Sequence, residues 1–208
     1  MRPLTLSVSL VVHQPNWRHL ARTLAFLGDA ITYARAHGSL TQASVTLVNN
    51  GSGEDCERLA LLAEAALGRA PGTRTGVLTG HGNVGYGRGH NLGMGNAQAD
   101  LHLILNPDVE MDAPALDAGI RYLESHPQAG AVMPDAHDEV GERQYLARSM
   151  PSVSVLFLRG FAPAWLRAPF HASLARYEMR ERDWDAEQFP IAVASGCFLL
   201  ARRGSLDK

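Results

Sequence analysis

The feature that most constrains this chain is a repeated order of segments. A short apolar run that reads as a buried strand ends in a cluster of polar or glycine residues, and a segment with helical period follows. Leu4 to Val12 (LTLSVSLVV) is short and rich in β-branched and apolar residues, which predicts a buried strand. Pro15 breaks it. Asn16 is placed to cap a helix from Trp17 to about Ala36, with Leu20, Leu24, Leu27 and Ile31 as its apolar face and Gly38 as its stop. Val45 to Val48 reads as a second strand, Glu54 to Leu67 as a second helix, and Gly76 to Thr79 as a weaker third strand. Leu101 to Leu105 (LHLIL) is a fourth strand, which Pro107 must end because proline cannot continue a ladder. Asp112 is placed to cap a helix over Ala113 to Ser125, and Ala129 to Met133 reads as a fifth strand. This alternation predicts an α/β fold with a mostly parallel sheet flanked by helices.

After Pro134 the order is lost. Asp135 to Glu142 is polar and turn-like, Ser152 to Arg167 is apolar but interrupted by Gly160 and Pro163, and Tyr177 to Glu187 is strongly charged. Ile191 to Ala194 reads as a last strand running into Ser195-Gly196-Cys197. A chain of 208 residues suits one domain. With a net charge of −2 there is no basic stripe to argue for a nucleic-acid partner. Two distant cysteines, Cys56 and Cys197, form no CxxC and fit free thiols in a reducing cytosol. No stretch approaches the roughly 18 apolar residues of a spanning helix, and the N-terminus lacks a signal-peptide layout. The expectation is a soluble cytoplasmic protein, compatible with work at the inner face of a membrane. Oligomeric state is not legible.

In an open parallel sheet, ligands bind beyond the carboxyl ends of the strands. Four clusters fall at such ends: His13-Gln14, Asn49 to Ser52, the loop from Gly80 to Gly95, and Asn106 to Asp108. Asp108 is the sharpest of these residues. Stiffened by Pro107, its carboxylate is placed to hold Mg²⁺ or Mn²⁺ against a diphosphate, although Asp at such a position also caps turns. Glu110 and Asp112 fit a helix N-terminal cluster equally well. Gly80, Gly82 and Gly85 form a GxGxxG match, a weak dinucleotide signal by itself. The further glycines at 87, 89, 93 and 95 disfavour an immediate stable helix, so a helix is expected only near Asn91 to Ala97. Asn83, Arg88, His90 and Asn91 supply hydrogen-bonding groups that a bare connector would not need. Asn49 and Asn50 suit either a plain turn or recognition of a base or ribose. The histidines assemble into no metal motif, though His13 is placed to face a ligand, and no serine-hydrolase elbow or Walker-type phosphate loop exists.

Taken in order, SVSLVVHQPN, TLVNNGSGE, GNVGYGRGHNLGM, LHLILNPDVEMD, AGAVMPDAHDEVGE and ASGCFLLARR resemble the inverting family 2 glycosyltransferases of the GT-A fold, especially the rhamnosyltransferase-like branch. The resemblance covers nearly the whole chain. It implies a nucleotide-diphosphate sugar donor, dTDP-rhamnose or a UDP-sugar, a saccharide or lipid-linked acceptor, and a divalent cation. It makes residues 1–134 the nucleotide-sugar-binding half and 135–208 an incomplete acceptor-side half. It implies that Asp108 carries the metal with Asn106 alongside. Val12, His13, Asn49 and Asn50 would border the nucleoside, Asn83, Gly85 and Asn91 would belong to the donor loop, and Ser195, Gly196 and Cys197 would border the sugar and acceptor. Asn49 stands where the family usually has Asp. The family's general base sits in an acidic segment beyond the position of Cys197. It is therefore expected beyond Lys208, so that no catalytic residue is assigned and this chain is expected to bind donor and transfer sugar poorly. Two rivals remain at this point: an NAD-type oxidoreductase using Gly80, Gly82 and Gly85, and a non-catalytic nucleotide-sugar-binding domain.

Overall fold

In a computed structural model, residues 3–95, 98–138, 140–147, 149, 179 and 190–206 are described. The chain divides into two compact units, one of Met1–Pro134 with Gly196–Lys208 and one of Asp135–Ser195. The division after Pro134 coincides with the loss of strand–helix order in the sequence. The last residues, however, return to the first unit.

The first unit is a six-stranded sheet. Its strands are β1 (Leu4–Val12), β2 (Leu40–Asn49), β3 (Thr73–Leu78), β4 (Leu101–Leu105), β5 (Ala131–Val132) and β6 (Phe198–Arg202), in the spatial order β3-β2-β1-β4-β6-β5. β1 lies parallel to β2 and β4, and β2 parallel to β3. β6 runs antiparallel to both β4 and β5. The helices are α1 (Trp17–Ala36), α2 (Cys56–Leu67), α3 (Tyr86–Met94), α4 (Ala113–Ser125) and the single turn α5 (Arg203–Leu206). This mostly parallel α/β arrangement is the expected one.

α1 begins where the sequence predicts. The Asn16 side chain accepts from the backbone N–H groups of Arg18 and His19 at 3.1 and 3.3 Å, satisfying two of the first-turn donors. α4 also begins on schedule, but Asp112 makes no side-chain cap bond and only its carbonyl engages, accepting from Ala115 N at 2.9 Å. None of the described helices is long and apolar enough to cross a membrane. Both cysteines are free thiols.

The sheet separates its two faces by the strand period of two. Leu6, Val8, Leu10 and Val12 of β1 join Val45, Leu47, Leu101, Leu103 and Leu105 in one apolar core with α1, α2 and α4. The alternate residues of β1, Ser7, Ser9 and Val11, are buried on the opposite face, where α3 packs.

Two expectations are corrected here. The helix after the glycine loop starts at Tyr86, directly behind Gly85, rather than near Asn91. Gly89 and Gly93, four residues apart, form the flat side of α3 that meets β1. A Cβ at Gly89 would lie 2.8 Å from the Val11 side chain, and one at Gly93 2.8 Å from Ser9 Cβ. The cost of about 1 kcal/mol per helical glycine is offset by packing that only glycine permits. Residues 96 and 97 lie outside the described residues. The last strand is Phe198–Arg202, not Ile191 to Ala194. FLLAR finds partners on both sides, β4 and β5, and buries Phe198 and Leu200 almost completely, whereas Val193 stays exposed.

In the second unit, the polar stretch that composition predicts to turn does so after Asp138, whose carbonyl accepts from Gly141 N at 3.0 Å. Asp138 Oδ1 accepts from the N–H groups of Val140 and Glu142 at 3.0 and 2.8 Å, and Arg143 Nε donates to Asp135 Oδ2 at 2.9 Å. The expected apolar stretch 152–167 and nearly all of the charged stretch 177–187 lie outside the described residues.

Candidate functional site

The loops at the carboxyl ends of β1, β2 and β3 are tied to one another by hydrogen bonds. Asn50, just after β2, donates its backbone N–H to Val12 O at the end of β1, 2.8 Å away. Its carbonyl accepts from His13 Nδ1 at 3.1 Å, and its side-chain Nδ2 donates to Gly85 O in the glycine loop at 3.1 Å. Asn50 is thus a buried junction of three loops. Its Oδ1 is buried without a partner among the described residues. His13 itself is exposed.

Asn49 is occupied differently. Its Oδ1 accepts from Gly51 N at 2.9 Å and its Nδ2 donates to Ser52 O at 2.7 Å, with only 1% of the residue exposed. An aspartate here could make the first bond but not the second, since it has no donor. The asparagine therefore shapes its own turn with both ends of its amide.

In the glycine loop, Gly82 and Gly85 hold φ near +67° and +82°, conformations costly for any residue with a Cβ. Asn83 Oδ1 accepts from Gly85 N at 2.9 Å and so turns the chain into α3. Asn83, Arg88 and Asn91 are all exposed around this helix start.

Behind α3 runs a buried polar chain. His102 of β4 contacts Ser7 Oγ through Nδ1 at 2.7 Å and Ser9 Oγ through Nε2 at 2.8 Å, and Ser9 Oγ lies 2.7 Å from His90 Nδ1 on α3. Ser7 Oγ also donates to Leu101 O at 3.3 Å. One proton assignment satisfies all four contacts: each histidine carries its proton on Nδ1, and the Ser9 hydroxyl donates to His102. His90 Nε2 is then a bare acceptor, and it has no partner among the described residues. Burial lowers the pKa of His90 to about 4. Burial, then the neighbouring His90 and Arg203, lower that of His102 to about 4 as well. Both rings are neutral at pH 7, as this chain of bonds requires.

Asp108, three residues past the end of β4, is exposed, and among the described residues its carboxylate makes no hydrogen bond or ion pair. Its neighbour Glu110 is spent on Arg22 at 2.6 Å. The end of β4 is instead held by Tyr86, the first residue of α3. The phenol lies 2.6 Å from Gly196 O and 3.0 Å from Asn106 Oδ1, and Asn106 N donates to Cys197 O at 2.9 Å. A phenol has one proton, so it donates to Gly196 O, and the Asn106 amide can serve it by presenting its NH₂ instead. Burial of the hydroxyl end, followed by the charges of Cys197 and Asp108, pushes the Tyr86 pKa up to about 12.

Of the residues singled out in the sequence, Val12, His13, Asn49, Asn50, Asn83 and Gly85 thus gather around linked loops. Asn106, Gly196 and Cys197 gather at the β4 and β6 ends. Ser195 belongs to the second unit. Tyr86, which joins the two groups, was not singled out. Its only signal was an aromatic residue amid glycines and polar groups. The start of α3 supplies the strand–glycine–helix order that an NAD site needs, but the sheet order speaks against that site. β3 is an edge strand, and Asp108 follows β4, which is separated from β3 by β2 and β1. The dinucleotide acid belongs on the strand that follows the glycine turn within its own βαβ unit.

No protein-family model matches the chain. In three dimensions it is similar to the mannosyltransferase PcManGT from Pyrobaculum calidifontis, solved with GDP-Man and Mn²⁺, with a TM-score of 0.51 and 13% identity over 65% of this chain and 36% of that one. The architecture is the GT-A glycosyltransferase fold. In sequence the chain is similar to the N-acetylglucosaminyl-diphospho-decaprenol L-rhamnosyltransferases of two Mycobacterium tuberculosis strains, CDC 1551 / Oshkosh and ATCC 25618 / H37Rv. Each is 30% identical over 98% of this chain. The chain spans 63% of the length of these relatives.

Proposed function

We propose that this chain serves the transfer of a sugar from a nucleotide-diphosphate donor, dTDP-rhamnose or a UDP-sugar, to a lipid-linked or saccharide acceptor with inversion at the anomeric carbon. The observation that carries this reading is the bonded set of strand ends, running from Val12 through Asn50 and Gly85 to Tyr86, Asn106 and Gly196, with the Asp108 carboxylate, uncommitted among the described residues, beside it. Similarity to rhamnosyltransferases over nearly the whole chain supports the donor class, and the diphospho-decaprenol in their name supports a lipid-linked acceptor. Such an acceptor fits a protein at the cytoplasmic face of a membrane.

Each residue then has a role. His13 borders the nucleoside, the buried Val12 and Asn50 fix the strand ends behind it, and Asn49 shapes the turn beside them. Asn83, Gly85 and Asn91 form the donor loop, and Ser195, Gly196 and Cys197 lie on the acceptor side. Asp108, with Asn106 alongside, would hold Mg²⁺ or Mn²⁺. Among the described residues no group of three or more His, Cys, Asp or Glu could hold a metal, and one free carboxylate is the donor set of a cation whose other ligands are phosphate oxygens and water. When bound, the cation supplies charge stabilisation to the departing diphosphate. Removing the acceptor hydroxyl proton requires a base. Asp135 and Asp138 are not assigned that role, because Arg143 engages one and the turn the other.

A thermal-shift panel of nucleoside diphosphates tests this. With Mn²⁺, UDP or dTDP is expected to raise the unfolding midpoint, by about 2.7 kcal/mol of apparent stability at a hundred times Kd. Asp108→Asn is expected to remove the metal-dependent part and leave the fold intact. Stabilisation by NADH without metal, or an unaltered metal response in Asp108→Asn, would overturn the reading.

A further inference from the structure

Tyr86 occupies a place that the roles above leave unassigned. It is the first residue of α3, directly behind the donor loop, while its hydroxyl reaches Gly196 O at 2.6 Å and the Asn106 amide at 3.0 Å. Asn106 in turn is fixed to Cys197 through its backbone N–H and is two residues from Asp108. The seat of the phenol is built for it: a Cβ at position 196 would stand 2.7 Å from the Tyr86 hydroxyl oxygen, so only glycine there leaves the phenol room. The ring is held from its other side by an edge-on contact with the buried His90, their centroids 4.4 Å apart. Half of the residue remains exposed, so its burial contributes little and its bonds contribute position.

We propose that Tyr86 is a positioning residue for the diphosphate and its metal: its hydroxyl fixes the distance between the donor loop and the Asn106-Pro107-Asp108 strand end. The proposal rests on the reading of this site as a nucleotide-sugar site. The nucleoside is bordered by His13, which Asn50 and Val12 hold from behind by bonds that do not involve the phenol, so its grip is independent of Tyr86. The metal-dependent grip on the diphosphate needs Asp108 and the glycine loop at a fixed separation and depends on it.

The test is calorimetric binding to the whole chain of UDP and of dTDP, each with and without Mn²⁺, and of uridine and thymidine. Tyr86→Phe keeps the ring and its contact with His90 and removes only the hydroxyl. One hydrogen bond is worth about 0.5–1.5 kcal/mol, so the Mn²⁺-dependent affinity is expected to fall about two- to tenfold. Nucleoside affinity should stay within about twofold of wild type by the same scale. Gly196→Ala, which displaces the phenol by sterics, should produce the same selective loss in wild type and little further loss in the Tyr86→Phe background. Equal weakening of nucleoside and diphosphate, or no weakening, overturns the positioning role, as does full additivity of the two substitutions. If wild type binds neither nucleotide with Mn²⁺, the glycosyltransferase reading fails and this role with it. Wild-type binding beside an indifferent Tyr86→Phe removes this role alone.

Discussion

The two faces of strands β1 and β4 are buried to the same depth by opposite chemistry. On one face Leu6, Val8, Leu10, Leu103 and Leu105 meet the helices α1, α2 and α4 in a core of aliphatic side chains. On the other, Ser7, Ser9 and His102 meet α3 through a chain of hydrogen bonds and through glycines that let the backbones close up. The aliphatic face derives its stability from area, which is undirected and tolerant of small shifts. The polar face depends on direction: each hydroxyl and ring nitrogen fits only one placement of its partner. The face that needs exact placement is the one under α3, the helix that begins at Tyr86 directly behind the glycine loop. The difference between the faces is therefore a division of labour between holding the sheet together and aiming the loop.

The contrast can be broken most sharply on the aliphatic side. Leu103→Ala is expected to cost about 2–5 kcal/mol, the usual range for a buried leucine that leaves a cavity. Urea denaturation should show the loss, while metal-dependent nucleotide affinity, measured where the variant is folded, stays near wild type. Gly93→Ala attacks the other face. With Ser9 Cβ at 2.8 Å and Val48 Cγ2 at 2.9 Å from the new methyl, overpacking should cost about 1–3 kcal/mol. Because α3 must move, affinity should fall along with stability. Stability lost without any change in affinity would show that α3 does not aim the loop.

The gentlest probe is pH. His90 and His102 have folded pKa values near 4, below the ordinary 6.5, so protons bind the unfolded chain first. Their contribution is fully present above about pH 6.5 and drains away as pH falls toward 4, at up to about 1.4 kcal/mol per pH unit for each ring. Urea midpoints between pH 7.5 and 4.5 should show this slope, and His102→Leu should reduce it by about half while lowering stability at pH 7. A slope unchanged by that substitution would place the titration elsewhere.

Much of the fold was legible in the sequence because its signals are local. The run LTLSVSLVV, the Asn16 cap and the period of Leu20, Leu24, Leu27 and Ile31 act within a few residues, and β1 and α1 lie where these predict. Pro107 ends β4 for the same kind of reason, and the strand ends that collect Asn50, Gly85 and Asn106 follow from the parallel order. The α3 expectation failed because helix propensity counts what a glycine loses by itself, whereas Gly89 and Gly93 are compensated by Val11 and Ser9, about eighty residues earlier. The final strand was misplaced because IAVA and FLLA read alike until β4 and β5 choose between them.

The sequence by itself determined the alternation of strands and helices, the positions of the turns, and the set of polar residues that end up at the strand tips. Backbone stereochemistry and side-chain period encode those locally. Tertiary structure alone decided that Ser7 and Ser9 face histidines rather than water, that Asn49 turns inward on its own loop while Asp108 stays uncommitted among the described residues, and that Tyr86 reaches Gly196 across 110 residues of chain. Such contacts depend on which partner arrives at each hydrogen-bonding group, and that is settled only when the sheet has brought distant segments together.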